Sequence, residues 1–352
     1  MLKNNFKLGL FAFNASSGST ITTSANKWNA DKDQVINLAK EADKCGLDFL
    51  LPVARWSDWG GKTRPHINTF ETLSLASALS LITKKIFLFS TIHANYIHPV
   101  IAAKSLTSIN RFSNDRVGMN LVCGWNKEEY EMFDLNFNLS SSDRYKYGDE
   151  WLKIFNKLID PNIDKFSFKG NFFKIKNGQN FPKVLNKNFI KISAAFSKDG
   201  RKFAKKNFDV LLTMFNSLET LKVVNEELKN NSKKKIKIYN PVHIIVKNSK
   251  SEADEFYDEY SNKNQDVKAV DNFIKNLQWS NKKILASYLK QMKQRVSGSL
   301  GSYTIIGDKK SVLEQINTIY KSKTDGLAMT FFDYTKDFKF FKKNLLSKIR
   351  KF

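Results

Sequence analysis

Residues 86–122 read IFLFSTIHANYIHPVIAAKSLTSINRFSNDRVGMNLV, and this stretch holds one complete strand–helix–strand unit. Ile86–Ile92 is a short apolar run, as a strand buried on both faces requires. His98-Pro99 then opens a helix over Val100–Ile109, with proline where its missing N–H costs nothing. Val117–Val122 returns as a second buried strand. Two such strands joined through a helix are the repeating unit of a parallel sheet. The rhythm extends outward in both directions. Upstream are a strand at Lys7–Phe13, a helix at Asp33–Lys44 stopped by Gly46, a strand at Phe49–Val53 and a helix at Thr69–Leu81. Downstream are strands at Phe189–Ala194, Val210–Met214, Ile236–Val246 and Gly326–Phe331, with helices at Lys198–Lys206, Leu218–Lys229, Ser311–Lys321 and Phe338–Lys348. Tyr303–Ile306 reads as a short extended piece. Eight strands in this rhythm predict an α/β fold, a TIM (β/α)8 barrel. The rival open doubly wound sheet announces a glycine-rich phosphate turn after its first strand. Here Asn14-Ala15-Ser16-Ser17-Gly18 follows, and no GxxxxGK[ST] occurs elsewhere. Residues 1–352 therefore read as a single domain with insertions near 160–185, where Phe166–Lys176 forms a hairpin, and near 250–302.

Composition narrows the function classes. The 352 residues are 41% hydrophobic and carry a formal charge of +24. That charge invites a polyanion partner, because clustered cations supply most non-specific affinity for phosphate backbones. Only eight of the 58 basic residues are arginine, however, and the rest are lysine. Arginine's planar fork is the residue suited to phosphate and base edges. Scattered lysines in a chain rich in Asn, Ile and Phe read as codon bias and a solvated surface, so no nucleic-acid partner is expected. No apolar run approaches the roughly 20 residues of a membrane span. The N-terminus lacks a small-residue cleavage site, and two cysteines build no disulfide framework. A reduced, cytoplasmic protein without a membrane partner follows as the expectation.

In a barrel the chemistry sits beyond the C-terminal strand ends. The loops there carry Arg55, Trp56, Trp59, His93, His98, Cys123, Trp125, Glu129, Tyr130 and Ser197. They are rich in aromatic side chains and poor in carboxylates, which suits a flat aromatic cofactor better than hydrolysis by an acid pair. Four histidines without HExxH predict no metal site, and no GxSxG elbow supplies a nucleophile. Cys123 reads as a small buried hydrophobe, and His66 as loop surface. His243 alternates with Val242 and Ile244. It is either an acid or hydrogen-bond donor at the barrel mouth or a satisfied interior histidine.

The stretch Asn120-Leu121-Val122-Cys123-Gly124-Trp125-Asn126, with Glu129-Tyr130, resembles the fourth-strand motif of the bacterial luciferase-like flavin monooxygenases. Within them it looks closest to the branch of dimethyl sulfone and ring-opening pyrimidine monooxygenases. Leu51-Pro52-Val53-Ala54-Arg55-Trp56 with Gly60-Gly61-Lys62-Thr63 fits the same branch. So do Thr91-Ile92-His93-Ala94, His98–Lys104, Gly301-Ser302-Tyr303 and Thr330–Tyr334, and together they span nearly the whole chain. The resemblance implies FMN, reduced by a separate NAD(P)H:flavin reductase, that activates O2 as a flavin peroxide. It also implies a homodimer or homotetramer. By position, Ala54 and Arg55 would lie along the isoalloxazine, Asn120 and Glu129 would contact the ring or ribityl chain, and Arg144, Tyr145 and Ser197 would hold the phosphate. Trp56, His93 and Trp125 would line the substrate pocket, with Trp59 helping to exclude water. His243 and Tyr145 are the candidates for proton transfer or substrate hydrogen bonding, and 280–302 is the expected lid. The expected substrate is a small organosulfur compound such as dimethyl sulfone. The alternatives are ring opening of a pyrimidine or amide, desulfonation of an alkanesulfonate, or flavin or nucleic-acid binding without turnover. Two departures stand out. Ala195 replaces the glycine that relatives often carry before the phosphate serine, and Arg295 is offset from the arginine of the sulfonate enzymes.

Overall fold

The computed structural model describes residues 6–135, 141–184, 189–230, 235–280 and 292–352. The strands along them are β1 (Lys7–Phe11), β2 (Phe49–Leu51), β3 (Phe87–His93), β4 (Val117–Val122), β5 (Phe166–Lys169), β6 (Lys174–Gly178), β7 (Lys191–Ala194), β8 (Val210–Leu212), β9 (Lys237–Val246), β10 (Tyr303–Gly307) and β11 (Gly326–Thr330). Eight of them close a parallel barrel in the order β1-β2-β3-β4-β7-β8-β9-β11 and back to β1. The expected (β/α)8 barrel is therefore the fold. Tyr303–Gly307, read from sequence only as an extended piece, is a further strand. It pairs with the upper half of β9, from Val242 to Val246, whereas β8 pairs with its lower half. The β5–β6 hairpin is antiparallel and stands outside the barrel.

The helices bury one face each against the barrel. The helix Lys32–Lys44 places Val35, Leu38, Ala39 and Ala42 inside, at helical spacing. The helix expected from Thr69 begins at Thr72, because Glu71 is its N-cap and its carboxylate accepts from the backbone N–H groups of Leu73 and Ser74. The second insertion folds as helices at Lys250–Asp258, Val267–Ser280 and Lys293–Ser299, with a π-helical turn at Glu259–Lys263. Residues 281–291 of the expected lid lie outside the described residues, as do 231–234. No helix among the described residues is long and apolar enough to cross a membrane.

The lower barrel interior is filled with rings. Phe49 stacks on Tyr239 with centroids 5.2 Å apart, and Phe89 meets Phe49 edge-on. Bare backbone makes room for them. A methyl group at Gly9 would lie 2.3 Å from the Phe49 ring, and one at Gly326 2.9 Å from Tyr239. Higher up, toward the strand C-termini, the lining turns polar. Thr91, Asn120, His243 and Thr330 are all buried there.

Candidate active site

The polar layer has two halves on opposite sides of the barrel. On one side Asn120 of β4 and Thr91 of β3 are register partners. Asn120 Nδ2 donates to Thr91 Oγ1 at 3.2 Å, and Thr91 Oγ1 donates to the carbonyl of Pro52. Asn120 Oδ1 is buried and has no partner among the described residues. On the other side His243 of β9 and Thr330 of β11 are register partners. His243 Nδ1 lies 2.9 Å from Thr330 Oγ1 and 3.0 Å from Ser19 Oγ. Its Nε2 is buried without a partner among the described residues, as is Thr213 Oγ1 just beyond β8. Burial pushes the pKa of His243 down to about 3, so the ring is neutral.

The loop after β2 supplies a buried ion pair. Arg55 Nη1 donates to Glu129 Oε1 at 2.9 Å, and the same oxygen accepts from the Trp56 backbone at 3.0 Å. The side chains are 7% and 0% exposed. Glu129 thus belongs to the interior, although its run Lys127-Glu128-Glu129 reads as a solvated helix face. Burial raises the carboxyl's pKa, but Arg55 and then His93 outweigh it and hold the group below the usual carboxylate range. The Arg55 guanidinium lies 4.7 Å from the Trp59 ring centroid and 5.1 Å from that of Trp125. Such stacking favours a planar cation. Ala54 beside it is half-buried. His93 is buried at the end of β3, packs on Tyr96, and is pushed down to about 4 mainly by burial.

One expectation changes here. His66 is not loop surface but 3% exposed. It accepts from Trp59 Nε1 at 3.2 Å and meets the Gly18 carbonyl at 2.7 Å. Burial, followed by nearby Arg55, lowers its pKa to about 4. Trp56 is 38% exposed, lies edge-on to Phe133, and lines an open groove of about 600 Å³ with Asp58, Arg64 and Met132. Trp59 and Trp125 form a further aromatic pair, with centroids 5.6 Å apart.

A third cluster lies beyond β7. Ser197 caps the helix Lys198–Asn207, its hydroxyl accepting from Gly200 N at 3.1 Å. Tyr145 Oη is 3.4 Å from that hydroxyl, and burial raises its phenol pKa. Arg144 donates to the Gly124 carbonyl at 2.8 Å and is 7% exposed. Arg144 thereby bridges the β4 loop to the helix that carries Tyr145. The Ala195 methyl does not stand alone: Gly200 opposite it is bare, and a Cβ there would lie 3.0 Å from the Ala195 Cβ. Arg295 spends its guanidinium on main-chain carbonyls, with donations to Ser302, Phe215 and Asn216. Sequence reading missed Ser19, which no motif marks, and gave Thr330 no role although its segment was singled out.

A flat ligand carrying several donors and acceptors fits these features. Buried polar atoms without partners among the described residues lie toward the strand C-termini, the indoles of Trp59 and Trp125 flank Arg55, and a capped helix start offers its N–H end to an anion. Comparison with known proteins agrees. The family model for luciferase-like monooxygenases matches residues 6–325. The pyrimidine monooxygenase RutA of Acinetobacter baylyi is 25% identical over 340 residues, which cover 94% of this chain and 91% of that protein. RutA of Pseudomonas savastanoi pv. phaseolicola is 30% identical over 171 residues, about half of each chain (48% and 47%). Among solved structures, riboflavin lyase with modified FMN and riboflavin superposes with a TM-score of 0.85 at 16% identity, covering 98% of this chain and 91% of that one. The long-chain alkane monooxygenase LadA also reaches 0.85, at 17% identity, covering 100% and 92%. At these identities the superpositions speak for the fold.

Proposed function

Because the chain belongs to the luciferase-like family of flavin-dependent monooxygenases, we propose that it takes reduced FMN from a separate flavin reductase and oxygenates a pyrimidine or related cyclic amide with ring opening. The cofactor reading rests on the buried Asn120 Oδ1, which has no partner among the described residues, and on the buried Arg55–Glu129 pair. The substrate reading is carried by the full-length likeness to a pyrimidine monooxygenase. Of the substrates expected from sequence, the cyclic amide thus takes precedence over dimethyl sulfone. The sulfonate alternative loses its cation, since Arg295 is committed to backbone carbonyls.

When bound, reduced FMN supplies the electrons that activate O2 for transfer of one oxygen atom to the substrate. The chain's own residues do the rest. Ala54, Asn120 and Glu129 hold the ring system and ribityl chain. The carboxylate of Glu129 is kept ionised by Arg55, and the indoles of Trp59 and Trp125 flank that guanidinium. Ser197, Tyr145 and Arg144 form the phosphate corner, where the helix start adds its partial positive charge. We read Tyr145, whose hydroxyl lies 3.4 Å from that of Ser197, as part of this corner. The indole wall and His93 exclude water from the reacting centre.

The experiment mixes the protein with reduced FMN and uracil under air, with dimethyl sulfone and an alkanesulfonate in parallel. The expected result is ring-opened product from uracil only. Product from the sulfone alone would overturn the substrate class. Absence of micromolar binding of reduced FMN, with Arg144→Ala indistinguishable from wild type, would overturn the cofactor site.

A further inference from the structure

His243 sits in a triangle of polar atoms that the flavin reading leaves unused. Its Nδ1 is 2.9 Å from Thr330 Oγ1 and 3.0 Å from Ser19 Oγ, and the two hydroxyls are 2.8 Å apart. All three residues are at most 1% exposed. Their hydrogens can be counted. If the ring proton is on Nε2, Ser19 donates to Thr330 and Thr330 donates to Nδ1, and both contacts are short. If it is on Nδ1, the Thr330 hydroxyl must turn to the Val242 carbonyl at 3.3 Å. The Nε2 tautomer uses the shorter contacts and leaves that N–H without a partner among the described residues, open to a ligand.

Ser19 itself is fixed from outside. An indole N–H only donates, so His66 Nδ1 must be the acceptor from Trp59, and His66 Nε2–H donates to the Gly18 carbonyl. That bond pins the residue before Ser19. Gly18 N to Ala15 O and Thr20 N to Ser17 O close the surrounding turns.

The place of His243 in the barrel decides what its Nε2–H meets. The residues assigned to the cofactor lie on β4, on the loops after β2, β4 and β7, and on the helix Ser141–Ile159. β9 and β11 lie across the barrel from β4. Resting on the pyrimidine reading above, we propose that Ser19 and Thr330 are positioning residues. They hold His243 as a neutral imidazole whose single Nε2–H donates to a neutral carbonyl oxygen of the substrate. Tyr260 covers the ring, with centroids 6.2 Å apart. Burial sets the imidazole's charge, and no ionised neighbour among the described residues contributes. A neutral donor in a dry pocket pairs well with an amide carbonyl and leaves an anion uncompensated.

The test is nitrogen NMR of the full chain labelled at histidine, with and without FMN. Only four histidines are present, and loss of one signal set in His243→Gln assigns it. The expected spectrum at pH 7 shows protonated Nε2 and bare Nδ1, and Ser19→Ala and Thr330→Val each mix the two tautomers. Thr330→Ser keeps the hydroxyl and is expected to restore the wild-type pattern. In turnover, Ser19→Ala is expected to raise KM for uracil about tenfold with kcat changed less than about twofold, at unchanged FMN affinity. A protonated Nδ1 or an imidazolium at pH 7 overturns the proposal, as does a Ser19→Ala enzyme with wild-type tautomer and KM. An Nε2–H histidine in an enzyme that leaves uracil untouched upholds the assignment and overturns the pyrimidine reading. Uracil opening with the other tautomer does the reverse.

Discussion

Burial keeps His66, His93 and His243 neutral in the fold, with pKa values near 4, 4 and 3. An unfolded histidine titrates near 6.5. Below that value the unfolded chain binds protons that the native state refuses, so stability falls as pH drops. From pH 6.5 to 5 each ring is expected to cost about 2 kcal/mol. Urea denaturation at pH 7 and pH 5 measures this, and equal midpoints would show that the rings are not held neutral. Cys123 obeys the same physics in the other direction. Burial pushes its thiol up to about 12 despite Arg144, so alkylation at pH 8 is expected only after unfolding. The Arg55–Glu129 pair is costly to break. Glu129→Gln leaves a buried guanidinium against a neutral amide and is expected to lose about 3 kcal/mol. A loss under about 1 kcal/mol in the same denaturation assay would mean that the two indoles alone suffice for Arg55.

At the scale of elements, the barrel strands were legible because each is a short apolar run between turn residues, and burial on both faces demands that pattern. Their lower ends also explain the interior glycines. Gly9→Ala would drive a methyl into the Phe49 ring, and a drop of about 2 kcal/mol is expected from overpacking. Wild-type stability in that variant would show that the ring can shift. The helix start at Thr72 was misread because Thr69 is itself a capping residue type, and only the geometry shows Glu71 taking the role. The loops were less legible, since long-range contacts set them. Asp266 accepts from the backbone and hydroxyl of Thr63, Asn272 donates to the Trp59 carbonyl, and Ser297 donates to the Ile21 carbonyl. These bonds tie the second insertion to the loops after β1 and β2. They join residues about 200 or more positions apart, and no local pattern encodes them. The proposed cofactor residues were found through resemblance. Ser19 was not, because its role exists only when His243 and Thr330 close around it.

At the scale of the whole molecule, the +24 charge raises the question of a polyanion partner again. The arginines answer much of it. Arg116 donates to the carbonyls of Ser80, Thr83 and Ile86, Arg295 to three others, and Arg350 to those of Phe6 and Gly46. Arg55 pairs with Glu129, Arg64 with Asp58, and Arg144 reaches Gly124. Guanidinium groups spent on internal carbonyls and carboxylates do not form a row that tracks a phosphate backbone. The lysines are scattered, and several stand in exposed pairs such as Lys127–Glu131 and Lys206–Asp149. Pairs of that kind contribute little, and salt screens them. Duplex DNA is therefore expected to bind only at low ionic strength and to release the protein at about 0.15 M salt. Added DNA should leave the affinity for reduced FMN unchanged. Fluorescence anisotropy of a labelled duplex across a salt series measures the first, and flavin titration with and without duplex measures the second. Micromolar DNA binding that persists at 0.15 M salt and competes with flavin would place a polyanion surface over the barrel mouth, and the lysine excess would then belong to the function.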